Sequence, residues 1–425
     1  MKILILCYGT RGDVQPYVAL GQRLGERGHH VTVATSPRFR EFVESHGLAY
    51  AFINDDLLAI LDTDGGKDLL EQPGLWGIIR NSIRMVRKVA PIQRALIRES
   101  REAAEATDPD FILFSPKLAH APLIAGQLDI PVALGALIPM HVPTGELRVL
   151  LAPGRMNRPW LNRASFALIG FITRRVLSGY IKPFRAELGL PPRRFEPLES
   201  ASGAPLPVLH AISPAVVRRP ADWPETAHLT GYWFLDEPAW QPPDALRTFL
   251  DAGPPPVYFG FGSMAGRSPE ELAATVLEAL GRTGQRGVIA TGWGGLKPEA
   301  LPDNVMLIRE APHAWLFPRM AATVHHGGAG TTAAALRAGR PTLIVPFFGD
   351  QPFWGAHIHR LGAAPSPIPR GRLTADRLEA ALKEMAGNTA MQKKAAEIGA
   401  AIRAEDGTGS AATLIEELAS TRKVT

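Results

Sequence analysis

The chain has 425 residues, 46% of them hydrophobic and 20% charged, with a formal net charge of +5. At the usual ~150 residues per domain this is room for two to three domains, and the composition excludes a disordered chain, a collagen-like fibre and a polytopic membrane protein. A single cysteine, Cys7, excludes an intrachain disulfide and a multi-cysteine metal cluster and fits a reducing, cytoplasmic setting.

The first predicted element is the apolar run Lys2–Cys7, a buried strand, in which Cys7 is a core residue. It is too short for a signal peptide and is followed at once by Arg11 and Asp13. A Gly-containing turn and a helical pattern through Val18, Leu20 and Leu24 come next, then strands at Val31–Thr35, Phe111–Ser115 and Pro131–Gly135. Between them, Gly74 to Arg101 holds seven Lys/Arg and one acid. Aromatics are few there and no nucleic-acid-binding signature accompanies the charge, so nucleic acid is not an expected partner. A second series begins at Pro256–Phe261 and continues through a helix from Pro269 to Leu280 and strands at Val288–Thr291, Val305–Ile308, Ala322–His326 and Thr342–Val345. Short apolar strands alternating with helices predict α/β architecture with two doubly wound, Rossmann-like domains. Pro214 to Val257 carries nine prolines, which predicts a linker. The expected division is 1–215, a linker at 216–256, and 257–425, with the final helix able to pack back on the first domain. Active sites in such pairs are expected in the cleft that the domains face, at the carboxyl ends of the strands.

The stretch Ala322 to Thr332 (ATVHHGGAGTT) ends a strand in paired histidines, turns on small residues and opens a helix. Glycines admit a ligand close to the backbone, and the first helical N–H groups favour a diphosphate. His326 can donate a further hydrogen bond, and Thr331 can cap the helix or bind oxygen; a plain strand–helix turn with buried histidines is the alternative. Ser263, in GFGSM after the strand at 256–261, can reach the same diphosphate. That segment is neither a dinucleotide fingerprint nor a P-loop. Asp350 and Gln351, after the strand at 342–345, suit vicinal sugar hydroxyls, or form an acidic turn. In the first half Asp13 is either a helix cap or a general base, and Arg11 either faces a diphosphate or is solvated. Two Asp-x-Asp matches, Asp62–Asp64 and Asp108–Asp110, sit in a loop and at the wrong end of a strand, so no metal is expected.

At these residues the chain resembles family 1 glycosyltransferases of GT-B fold, especially the UDP-glucose:sterol 3-β-glucosyltransferases and next the antibiotic-aglycone glycosyltransferases. The resemblance rests on GTRGDVQP at 9–16, on residues 212–237, and on APHAWLFPRMAATVHHGGAGTTAAALRAGRPTLIVPFFGDQPFWG at 311–355, and it covers essentially the whole chain. It implies an inverting, metal-independent transfer from a UDP-sugar to the hydroxyl of a hydrophobic acceptor, with no cofactor. By the resemblance Asp13 is the catalytic aspartate. Ser263, His326, Gly328, Ala329, Gly330 and Thr331 meet the diphosphate, for which Arg11 and Gly12 are further candidates apart from the resemblance, and Asp350 and Gln351 meet the sugar. Where the plant enzymes stack the uracil on tryptophan, Glu310 stands here, so base recognition is assigned to Ala311, His313 and Trp293. The acceptor is expected against the less regular segments 57–100 and 139–185, at Trp76, Ile79, Ile83, Met140 and His141. Two stretches there, around Trp76–Lys88 and Phe166–Arg175, place apolar and basic residues at helical spacing. They read either as core on one face or as a basic amphipathic surface resting on the anionic inner face of a membrane. The alternatives are a transferase for a polyketide, flavonoid or peptide aglycone using a TDP- or UDP-sugar, a nucleotide-sugar epimerase or hydrolase, and a non-catalytic nucleotide-sugar-binding protein.

Overall fold

Residues 1–56, 75–147, 158–237, 239–261, 269–290 and 301–421 are described in a computed structural model of the protein, with side chains except at 75–90 and 269. The chain divides into two units, Met1–Leu235 with Asp406–Thr425, and Asp236–Glu405.

In the first unit β1 (Lys2–Leu6), α1 (Arg11–Glu26), β2 (His30–Thr35), α2 (Arg40–Ser45) and β3 (Ala49–Phe52) are followed by α3 (Leu75–Thr107), β4 (Phe111–Phe114), α4 (Ala121–Leu128), β5 (Val132–Ala136), α5 (Pro159–Glu187), β6 (Val208–His210) and β7 (Ala227–Leu229). Every strand pairs parallel with its neighbours in the order β3-β2-β1-β4-β5-β6-β7. Side chains alternate across a strand, and β1 is apolar at each of its inner positions, so both faces of the sheet are covered. Leu4 and Leu6 join Leu96, Leu123 and Phe184 on one side. Ile3 and Ile5 join Val14, Tyr17, Leu20, Ala411 and Ile415 on the other.

The second unit contains α6 (Asp244–Asp251), β8 (Val257–Gly260), α7 (Pro269–Thr283), β9 (Gly287–Ala290), β10 (Val305–Ile308), α8 (His313–Leu316), β11 (Ala322–His325), α9 (Ala329–Arg337), β12 (Thr342–Ile344), α10 (Gln351–Arg360), α11 (Ala375–Gly387) and α12 (Thr389–Arg403). Its sheet is also all parallel, in the order β10-β9-β8-β11-β12. Both strand orders reverse direction once, between β1 and β4 and between β8 and β11. A ligand in such a sheet binds outside the carboxyl ends of the strands at that reversal.

The proline-rich stretch 216–256 is not a free linker: it contains β7 and α6, and the unit boundary at 235/236 divides it. Its prolines bracket short elements instead. Pro224 accepts the turn hydrogen bond from the N–H of Ala227 at the start of β7, and Pro243, at φ −55°, caps α6. The last helix, α13 (Gly407–Thr421), belongs to the first unit. Arg23 pairs with Asp406 at 2.5 Å, and Arg27 and His29 both reach Glu416 at 3.0 and 2.8 Å. The segments expected to be less regular, 57–100 and 139–185, contain most of the long helices α3 and α5. The helical spacing of their apolar residues is what the backbone realises.

Candidate functional site

In the first unit β1 ends at Leu6, and the chain turns through Gly9 into α1. Asp13 is the third helical residue. Its Oδ2 accepts hydrogen bonds from the Thr10 N–H at 2.8 Å and from Thr10 Oγ1 at 3.0 Å. Its Oδ1 is 2.9 Å from Lys117 Nζ. Lys117 lies on the 3-10 turn Pro116–Leu118 that follows β4, and β4 is hydrogen-bonded to β1 with Leu6 opposite Phe114. An aspartate and a lysine therefore meet at the strand-order reversal. Gly9 makes this possible: at φ +142°, a Cβ there would lie 2.3 Å from Asp13 Oδ2 and 2.5 Å from Lys117 Nζ. Asp13 is thus both a cap and a carboxylate held in one orientation with a third of its side chain exposed. The Arg11 guanidinium lies 5.1 Å from the centre of the Phe42 ring, and its Nε donates to Gln15. Gly12 is exposed beside it.

The sequence did not single out Lys117. Only the strand order brings Ser115-Pro116-Lys117 beside Tyr8–Asp13. His210, at the carboxyl end of β6, is a second residue that escaped notice. It is fully buried, stacks on Trp223 at 4.4 Å, and its Nε2 has no hydrogen-bond partner. Burial and the neighbouring His141 push it down to about 3. Met140 and His141 follow β5 at the same edge of the sheet; Met140 is buried, and burial pushes His141 down to about 4. Trp76, Ile79 and Ile83 lie on α3, but their side chains are outside the described residues.

In the second unit β11 delivers His325 and His326 to the reversal point. His325 is structural. Its Nδ1 accepts from the Gly327 N–H at 3.0 Å, which leaves the Nε2 proton for Thr342 Oγ1 at 2.9 Å. Gly327 sits at φ +93°, where a Cβ would come 2.6 Å from Ile344 Cγ2, so the turn against β12 requires glycine. Gly328 is the N-cap of α9. The first intrahelical bond runs from the Thr332 N–H to the Gly328 carbonyl at 2.9 Å, so the N–H groups of Ala329, Gly330 and Thr331 precede the helix ladder. The His326 ring lies against this end, its Nε2 2.7 Å from where a Gly328 Cβ would stand. Burial pushes His326 down to about 4, against a smaller opposing pull from the Gly260 main chain, so near neutral pH it is an uncharged imidazole with one N–H. The end of β11 and the start of α9 together form an anion-seeking corner.

Asp350 caps α10 and accepts from Trp354 Nε1 at 2.8 Å; Gln351 is buried, and its Oε1 accepts from the N–H groups of Phe347 and Phe348 at 2.8 and 3.2 Å. These bonds pin the loop after β12 and occupy the amide oxygen. His313 stacks on Phe317 at 4.2 Å and meets Tyr258 edge-on at 6.0 Å, with Ala311 half-buried two residues before it. Ser263 and Trp293 lie outside the described residues. No group of three or more potential metal-ligating side chains occurs among the described residues.

The buried histidines set an acid limit on stability. His120 and His210 are pushed by burial to about 3, and His325 well below its usual value. Above their ordinary value of ~6.5 these groups are neutral in both states. Below it the unfolded chain takes up protons that the folded chain refuses, which costs about 1.4 kcal/mol per histidine per pH unit until the folded value is reached. The urea midpoint is expected to be lower at pH 5.5 than at pH 7.5, and equal midpoints would mean that the imidazoles protonate freely in the folded protein.

Two Rossmann-type parallel sheets in one chain, each with its polar groups gathered at the reversal point, define a GT-B-type protein. Residues 3–134 match the glycosyltransferase family 28 N-terminal domain, and residues 274–418 match the erythromycin biosynthesis protein CIII-like C-terminal domain. A sterol 3-beta-glucosyltransferase of Arabidopsis thaliana is 36% identical over 97% of this chain and 64% of the plant protein. O-mycaminosyltylonolide 6-deoxyallosyltransferase of Streptomyces fradiae is 34% identical over 99% of this chain and 98% of its own length. Among solved structures, a kitacinnamycin glycosyltransferase aligns with a TM-score of 0.73 at 22% identity over 98% of both chains. The chain belongs to the family 1 glycosyltransferases of GT-B fold. It spans 64% of the length of that Arabidopsis sterol enzyme and 26% of a Cryptococcus neoformans one.

Proposed function

We propose that the protein transfers a sugar, glucose, from a UDP-sugar to the hydroxyl of a hydrophobic acceptor, a sterol or related lipid, with inversion and without a metal. The observation that carries the reading is the amino end of α9, where three N–H groups and a neutral His326 converge as a leaving diphosphate requires. Similarity to the plant sterol enzymes over 97% of the chain supports the acceptor class. In the reaction the acceptor oxygen bonds to the anomeric carbon as the bond from that carbon to the diphosphate breaks. Asp13 takes the acceptor proton as the new bond forms, help worth roughly 10²–10⁴-fold. The negative charge leaves on UDP, toward His326 and Gly328–Thr331, with Arg11, Gly12 and Ser263 assigned to the same diphosphate. Asp350 and Gln351 are assigned to the sugar, and Ala311, His313 and Trp293 to the base.

The test is acceptor-dependent UDP release in EDTA, with products identified by mass spectrometry for UDP- and TDP-sugars against sterols and flavonoids. A sterol glucoside formed from UDP-glucose is expected. UDP release without acceptor would mark a hydrolase. Transfer of a deoxysugar from a TDP donor to a polyketide would establish the second reading, which the end-to-end match to the Streptomyces enzyme favours.

Lys117 acts in this reading as a positioning residue for Asp13. The pair is partly exposed and contributes only about 0.2–1 kcal/mol to stability, so the fold survives its removal. Lys117→Ala is expected to lower kcat roughly tenfold with donor KM little changed, because a loosened catalytic group loses its alignment. Lys117→Arg restores most of the loss. A change confined to donor KM would assign Lys117 to donor binding instead.

A further inference from the structure

The outer face of α5 belongs to neither cluster described above. Trp160 is 62% exposed, Leu168 55%, Phe171 57% and Ile172 48%, and Val176 is exposed beyond them. Their spacing places them along one side of the helix. Five of the eight large exposed hydrophobic residues among the described residues are on this single element, which is concentration rather than scatter. Phe166, Ile181 and Phe184 on the opposite side supply the packing that holds α5 to its unit.

Charge on α5 is sorted in the same way. From Arg158 to its last residue the only acid is Glu187, the last residue itself. Three of its cations are engaged by the protein: Arg163, though exposed, pairs with Asp222 at 2.8 Å, Arg174 pairs with Glu196 at 3.2 Å, and the buried Arg185 donates to the Pro191 and Ala201 carbonyls. Arg158, Arg175 and Lys182 are exposed and make no ion pair with a described residue. An apolar strip accompanied by unneutralised cations is complementary to an anionic lipid leaflet, where the side chains enter the headgroup boundary and the cations meet lipid phosphate or carboxylate. A second copy fits less well, because antiparallel pairing of two such helices sets Arg175 and Lys182 of one near Arg158 of the other.

We propose that this face of α5 docks the protein on an anionic membrane surface, with the helix lying in the plane of the interface. The inference goes beyond the transfer reaction and stands or falls separately from it. The full chain is sedimented with phosphatidylcholine vesicles and with mixed phosphatidylcholine–phosphatidylserine vesicles. Binding to the mixed vesicles only, weakened by added salt, is expected. Arg175→Ser with Lys182→Ser is expected to weaken it about fivefold per cation removed. Trp160→Ser with Phe171→Ser is expected to weaken it at least ~10-fold with an unchanged Tm, because both side chains point outward. Binding to neither vesicle, equal binding to both, or binding that neither double variant alters overturns the proposal. So does a dimer, seen by light scattering, that Trp160→Ser with Phe171→Ser dissolves.

Discussion

Asp13→Asn is expected to lower turnover at least ~10²-fold while UDP affinity stays within a few-fold. The substitution is nearly isosteric and keeps an oxygen that can accept from the Thr10 N–H, so α1 keeps much of its first-turn support. What disappears is the negative charge facing Lys117 and, with it, the basicity to which the proposed reaction assigns the acceptor proton. A lost cap costs about 0.5–2 kcal/mol, an upper limit here because the amide replaces part of it. Tm is therefore expected to fall only slightly, which separates chemistry from unfolding. Calorimetric UDP titration together with steady-state rates measures both quantities. A normal rate would leave Asp13 as a cap alone and take it out of the mechanism. Gly9→Ala offers an independent approach to the same geometry, since its methyl group would occupy the space of the carboxylate and the ammonium.

The second large effect is expected at His326. In the proposed reaction His326→Ala removes an N–H donor from the corner assigned to the leaving diphosphate, and loss of one such donor typically costs ~10²–10³-fold in kcat. The residue is neutral at pH 7 because burial holds it at about 4, so its contribution comes from a hydrogen bond and not from a full positive charge. In the unliganded protein the imidazole is accordingly expected to stay uncharged above pH 5, as read from its NMR chemical shifts. A wild-type titration near pH 6.5 that is absent from His326→Ala would place the ring in a wetter setting. Unchanged turnover in the variant would leave the α9 amides to bind the diphosphate alone.

Much of this arrangement was legible in the residue order. The turn ATVHHGGAGTT fixes much of its own surroundings: Gly327 is required by its positive φ, and the helix opens at Ala329, directly after Gly328 and four residues before the run Ala333–Leu336 that the sequence suggested as its start. Neighbours along the chain carry that information. The pairing of Lys117 with Asp13 was not legible, since it depends on β4 crossing to lie beside β1. The short strands β3, β6 and β7 were equally hard to find: β6 and β7 have three residues each, and β3 is only partly buried. Proline content misled at 216–256, where tight turns between brief elements have the composition of a connector. For Asp13 the choice between cap and base was a false opposition, because a capping carboxylate can also be a solvent-facing one.

The return of the last helix to the first unit makes residues 236–405 an insertion within another domain. That segment is one uninterrupted stretch of gene, so grafting it between relatives exchanges the corner at the start of α9 as a cassette and leaves the host sheet whole. Trimming the chain from its carboxyl end has the opposite result. Ala411, Ala412, Ile415 and Ala419 are the cover over one face of the amino-terminal sheet, and a protein cut at 405 would bare that face to water at the far end of the sequence from the strands it protects.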